Sequence, residues 1–210
     1  MYRGILLAAI VAAPAAAQAV EPGRYRLTGE QDVASELVLR KDGRFGYFLI
    51  AGALDERAEG SWSTDGSVVT LTVEPKPVPP VFTAGAASRT AAAPLTLKVN
   101  WPDGRGIAGV DLRVGFGEGE PVVDYTQEDG WTLPAEESRK PEWVELSVPM
   151  YDYPPARFPV DVETANDLSF TLTPNDMGVF DFSGVRVEAE RKRLIVHRGG
   201  AGLHYEAVRE

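Results

Sequence analysis

Cysteine is missing entirely from this 210-residue chain, and histidine occurs only twice, at His197 and His204. The first absence removes disulfide staples, thiolate nucleophiles and thiolate metal sites together, so burial alone has to hold the fold. The second leaves little from which to build an imidazole base or a zinc centre. Basic charge is also short: 21 Lys and Arg stand against 31 Asp and Glu, a formal net charge of −10. Nucleic acid and anionic lipid both attract basic surfaces, so neither is expected as a partner. Beyond residue 19 no apolar run approaches the ~20 residues needed to span a bilayer.

What is present begins with an export layout. Met1-Tyr2-Arg3 supplies a single cation, Gly4 to Ala13 is continuously apolar, and Pro14 precedes the small residues Ala15-Ala16-Ala17-Gln18-Ala19. A basic start, a short apolar middle and an A-x-A site read as a cleavable signal peptide over residues 1–19, cut between Ala19 and Val20. Loss of Arg3 then takes the net charge from −10 to −11. With no cysteine to carry a lipid, the expected product is a periplasmic protein, secretion being the alternative.

The rest of the chain has little helical periodicity. Short alternating runs punctuated by Asp-Gly and Pro/Gly pairs predict an all-β fold. Tyr25 and Leu27, Leu37 and Leu39, Phe45, Tyr47 and Leu49, then Val69, Leu71 and Val73 each alternate. Asp42-Gly43 and Asp65-Gly66 mark hairpin turns between them. Gly52 to Gly60 reads as a looser turn, with Ser61-Trp62-Ser63 opening the next strand. Residues 75–94 are rich in Pro and Ala and read as a linker. Alternation resumes at Leu95, and a closing set from Asn166 has the hairpin-scale spacing of the opening meander. The expected architecture is a small antiparallel barrel from residues 20–74 plus 166–210, with a β-sandwich inserted at 95–165. Two tandem β-sandwiches are the alternative.

Two resemblances bear on this. Asp103-Gly104-Arg105-Gly106-Ile107-Ala108-Gly109-Val110-Asp111-Leu112-Arg113-Val114, with Thr126 and Asp129-Gly130, resembles the carboxypeptidase regulatory-like (prealbumin-like) sandwich over about residues 95–162. That resemblance implies an accessory, adhesive or structural role and brings no catalytic residues. The outer segments, about 23–74 and 166–208, look like lipocalin-like small barrels. Gly23-Arg24-Tyr25 stands where those chains carry Gly-x-Trp, and Gly60-Ser61-Trp62 is a second such tripeptide that the pattern does not require.

Chemistry is thin. His197 and His204 need a third ligand, Glu206 or Glu188, to make a metal site, and surface strand positions are the simpler account. No Gly-x-Ser-x-Gly elbow is present. The acidic pairs Asp55-Glu56, Glu128-Asp129 and Glu136-Glu137 fall in expected turns, and adjacent strand residues point to opposite faces. The run Asp124-x-Thr126-x-Glu128-x-Gly130 lacks the ligand pattern of a calcium loop. No catalytic, cofactor or metal residue is therefore assigned. Trp101, Trp131 and Trp143 read as core before they read as a stacking platform. The loop Tyr151-Asp152-Tyr153-Pro154-Pro155 is the expected binding surface, with Tyr151, Tyr153, Pro154 and Pro155 its exposed residues. The expected function is non-enzymatic binding of a protein or envelope component. The alternatives are a carrier with a small ligand in the barrel, and a hydrolase.

Overall fold

The computed structural model describes residues 20–91, 94–190 and 192–208. The expected signal peptide, including Ala19 on one side of its cleavage site, lies outside the described residues. Val20, on the other side, is buried against the barrel core. Sixteen strands make up the regular structure, and no helix occurs among the described residues. None therefore is long and apolar enough to cross a membrane.

In chain order the strands are β1 (Gly23–Thr28), β2 (Val33–Leu39), β3 (Arg44–Ala51), β4 (Leu54–Asp65), β5 (Val68–Val73), β6 (Val81–Ser88), β7 (Thr96–Asn100) and β8 (Asp111–Phe116). Then come β9 (Val122–Tyr125), β10 (Trp131–Thr132), β11 (Pro141–Ser147), β12 (Ala156–Pro159), β13 (Asp167–Thr173), β14 (Arg186–Glu190), β15 (Arg193–Arg198) and β16 (Ala201–Ala207). β1 to β5 form a meander that closes with β14, β15 and β16 into an eight-stranded antiparallel barrel. Closure removes the open edges that a four- or five-stranded meander would expose. Between the two barrel segments, β10-β7-β13-β6 and β12-β11-β8-β9 form two four-stranded sheets. Leu97, Val99, Phe170 and Leu172 of the first share one buried core with Leu112, Val114, Val144 and Leu146 of the second. The insertion is a two-sheet sandwich.

Three boundaries differ from the sequence expectation. β6 lies inside residues 75–94 and is a strand paired with β13, so only its Pro-rich start serves as a connector. β13 belongs to the sandwich, where it runs parallel to β7, and not to the closing barrel set. Its Phe170 and Leu172 enter the sandwich core, which alternation alone could not distinguish from a barrel core. β4 begins at Leu54, seven residues before the expected opening at Ser61, and Gly60-Ser61-Trp62 sits in its middle. The early half was hidden because its inward positions are Leu54, Glu56, Ala58 and Gly60, which give no apolar stripe. Gly60 has to be glycine: a Cβ there would lie 1.8 Å from the Thr72 carbonyl oxygen. β4 passes from its pairing with β3 to its pairing with β5 at this residue.

The barrel is filled. Tyr25, Leu37, Leu39, Phe45, Val69, Val187, Leu194 and Val196 are buried in its interior. β14 meets β5 at only two register positions, Val187 with Val69 and Glu188 with Val68. The segment before β14 compensates. Phe182 packs edge-on against Phe45 and Tyr47, with ring centroids 5.7 and 5.0 Å apart, and is itself buried. Edge-to-face rings at these separations are the favoured aromatic geometry.

Candidate functional site

At one end of the barrel, the chain leaving β13 runs along the free edge of β4. Arg57 donates its N–H to the Gly178 carbonyl and accepts one from Phe180 N–H, both at 2.9 Å. Gly178 sits at φ +88°, and a Cβ on it would come within 3.0 Å of the Asp55 carbonyl and 3.6 Å of the Tyr151 hydroxyl. Only glycine lets this strap lie flat between the barrel and the sandwich loop. The Pro-rich connector is fastened to the same strap. Val78 N–H donates to Asp176 Oδ2 at 2.8 Å, Asp176 N–H to the Val78 carbonyl at 3.0 Å, and Asn175 Nδ2 to the Pro79 carbonyl at 2.9 Å. The expected flexible linker is thus tied down where it enters the sandwich.

These segments enclose a cleft of about 570 Å³, lined among others by Glu56, Pro77, Tyr151, Tyr153, Phe180 and Arg198. Its size is that of an ordinary small-ligand or side-chain pocket. Tyr151 and Tyr153 are half-buried, with ring centroids 5.8 Å apart and planes inclined by 37°. Burial pushes the Tyr153 hydroxyl above its ordinary pKa, and the Gly178 backbone hydrogen-bonds to it. Pro154 and Pro155 are exposed beside them.

The barrel end of the cleft holds charge: Glu56, expected in a turn as one of an acidic pair, and Arg198, which the sequence did not point to. Glu56 points inward from β4, and its side chain is only 3% exposed. Arg198 points inward from β15 and forks onto it. Its Nη2 donates to Oε1 at 2.7 Å, and its Nη1 pairs with Oε2. The guanidinium lies 4.2 Å above the Phe180 ring. Hydrogen bonding to Glu56 raises the Arg198 pKa, with further help from Tyr47. Behind this pair, Ser35 Oγ donates to the Phe48 carbonyl, so Tyr205, 2.8 Å away, must donate to Ser35. The Tyr47 hydroxyl lies near Tyr205 and Arg198, and burial raises both tyrosine hydroxyls above their ordinary pKa. The result is a polar cluster inside an apolar barrel: the Arg198–Glu56 pair, Tyr47, and the hydrogen-bonded Tyr205 and Ser35. No buried side-chain polar atom among the described residues lacks a partner.

The remaining sequence candidates do not converge. His197 pairs with Glu188 at 2.9 Å, while His204 stands on β16 opposite Ile195 and Thr28. Among the described residues no three His, Asp or Glu side chains group as metal ligands. Asp55 is exposed while Glu56 is buried, as opposite strand faces require. Asp124 accepts from Tyr125 N–H and from Trp131 Nε1, and Glu137 is held by Arg139. Trp143 is covered on one face by Arg157, 3.9 Å from its ring. Trp101 and Trp131 pack at the margin of the sandwich core. Of the sequence-named binding residues, Tyr151 and Tyr153 line the cleft. Glu56 was read as a turn charge and Arg198 went unremarked, because an inward charge on a strand looks the same in sequence as a solvated one. Compared with known proteins, the chain matches no family model, no curated protein and no solved structure.

Proposed function

We propose that this is an exported, non-enzymatic binding protein whose recognition surface is the cleft between the barrel mouth and the Tyr151–Pro155 loop, and whose partner is a protein or other envelope component. One observation carries the reading: the barrel is packed with its own side chains, whereas the tyrosine pair and Arg198 face an open cleft. Tyrosines combine a rigid apolar ring with a polar tip at low entropic cost, which suits them to contact surfaces. The filled interior speaks against the carrier alternative, whose ligand would need the space that Phe45, Leu37 and Leu71 occupy. The two-point pairing of the buried Glu56 carboxylate with Arg198 supports a structural clamp over a hydrolytic centre. The resemblance of residues 95–162 to the carboxypeptidase regulatory-like sandwich supports an accessory role.

The test pairs chemical crosslinking of the protein in periplasmic extract with native mass spectrometry. The wild type should capture a defined partner that Tyr151→Ala/Tyr153→Ala loses, and a mature N-terminus at Val20 would support export. A low-mass ligand retained by the purified barrel, or undiminished capture by the double variant, would sink the proposal.

A further inference from the structure

Four strands end the two sandwich sheets, and they differ in how their free edges are guarded. β6 carries a bulge, its register against β13 shifting between Leu168 and Phe170, and Pro79 and Pro80 precede it. β10 is two residues long. β12 ends in Pro159 and carries Arg157. Bulges, prolines, short length and basic side chains are the usual protections of a sheet edge. β9, four residues long like β12 and preceded by Pro121, carries no bulge, no basic side chain and no proline within its span. Its register against β8 is regular from Asp111↔Tyr125 to Val114↔Val122. Val123 and Tyr125 share one face and are 68% and 54% exposed, among the barest large apolar residues described.

The backbone of β9 can be assigned edge by edge. Thr126 donates its N–H to the Val110 carbonyl and accepts from Gly109 N–H, so both its groups point toward the β8 side. Backbone direction repeats every second residue, which places Val122 and Asp124 on that side too. The N–H and C=O groups of Val123 and Tyr125 therefore face the open edge. One of them is occupied: Tyr125 N–H donates to Asp124 Oδ1 at 2.9 Å. The Val123 pair and the Tyr125 carbonyl are open to an incoming strand.

The turns flanking β9 are acidic, while Arg113 stands opposite Val123 and Arg139 donates to the Glu118 and Glu120 carbonyls. Glu118 and Glu120 lie in the turn before β9, and Glu128 and Asp129 in the turn after it. None of the four forms an ion pair among the described residues, whereas the nearby cations Arg139 and Arg113 engage Glu137 and Glu145. An acidic surround repels a second copy of this acidic chain and attracts a cationic segment.

From this we infer that the β9 edge is a strand-addition site for an extended peptide with alternating apolar side chains and Lys or Arg at its ends. The incoming strand pairs with the open groups of Val123 and Tyr125, lays its apolar residues against those two side chains, and places its cations against the acidic turns. This surface is separate from the tyrosine cleft, and neither proposal depends on the other.

The probe is a fluorescein-labelled Lys-Val-Thr-Val-Thr-Lys peptide titrated into the full chain, followed by anisotropy. Four open or displaceable backbone positions and two side chains imply a weak site, with Kd on the order of 10–100 μM. Affinity should fall about tenfold in Val123→Ser/Tyr125→Ser, and severalfold when salt rises from about 50 to 300 mM. Glu118→Lys/Glu120→Lys should weaken binding similarly while leaving the melting curve in place. A peptide N-methylated at alternate residues should bind at least tenfold more weakly, because it cannot donate to the edge. Amide shifts should map to residues 122–125. Equal binding of the N-methylated peptide, no binding at 1 mM, or shifts confined to the Tyr151–Tyr153 cleft would each overturn the inference.

Discussion

Replacing Arg198 with alanine would leave the Glu56 carboxylate inside the barrel with no cation. The side chain of Glu56 is 3% exposed, so even with the cleft open to it the carboxylate would be far less hydrated than in water once the two guanidinium hydrogen bonds are lost. Removing one partner of a buried ion pair typically costs about 3–5 kcal/mol. The reverse change, Glu56→Ala, should cost less. Arg198 is 22% exposed, opens onto the cleft, and keeps the Phe180 ring beneath it. A loss of about 1–3 kcal/mol is expected there, the range for a charge-assisted hydrogen bond with a partly hydrated survivor. The pair Glu56→Leu/Arg198→Met should recover much of the loss, since a well-packed apolar replacement removes both desolvation penalties. Urea denaturation followed by circular dichroism measures all four proteins. At this chain length each kcal/mol is worth about 2–4 °C in melting temperature. Losses below about 1 kcal/mol in both single variants, or a larger loss for Glu56→Ala than for Arg198→Ala, would refute the geometry of a buried acid held by a half-open base.

Other expectations follow from single positions. Phe182→Ala empties the ring site against Phe45 and Tyr47 and should cost about 3–5 kcal/mol by the same assay. Thr126→Val should cost about 1–3 kcal/mol, because the fully buried hydroxyl donates to the Ile107 carbonyl at 2.6 Å and accepts from Val110 N–H at 3.2 Å. Gly60→Ala forces a methyl onto the Thr72 carbonyl, and hydrogen exchange should show β4 and β5 opening first. Hydrogen bonds from Arg139 hold the Glu137 carboxyl at about 2, against an ordinary 4.5. A depressed folded-state value means stabilisation that is present above the ordinary value and lost as pH falls through about 2. Carboxyl NMR titration should find that midpoint, and Arg139→Ala should return it toward 4.5.

The strands were legible wherever one face was apolar and the other polar. Leu37-Val38-Leu39, Phe45 to Leu49 and Val69 to Val73 all fall where alternation puts them, and Asp42-Gly43 and Asp65-Gly66 turn the chain between strands. Legibility failed where the rule behind it failed. The first half of β4 turns Glu56, Ala58 and Gly60 inward, so no apolar period announced it. β6 is almost bare on both faces, with only Phe82 partly covered, so its Ala and Gly content read as a linker. In the site, the Tyr151 and Tyr153 rings were found because aromatic residues beside prolines stand out in a loop. Their charged neighbours Glu56 and Arg198 lie 142 residues apart, and no local pattern links them.

By itself the chain determined its class. Zero cysteines, alternating apolar residues and glycine-marked turns leave an all-β fold held by burial, and the acidic balance fixes the sign of its surface. Tertiary structure decided the rest. Periodicity records which face of a strand is buried but not which neighbour buries it, so the assignment of β13 to the sandwich had to wait for pairing. Burial of a charge likewise depends on what arrives from elsewhere in the chain. Glu56 is a clamp and not a solvated turn residue only because barrel closure brings Arg198 to it and the strap carries Phe180 beneath that guanidinium.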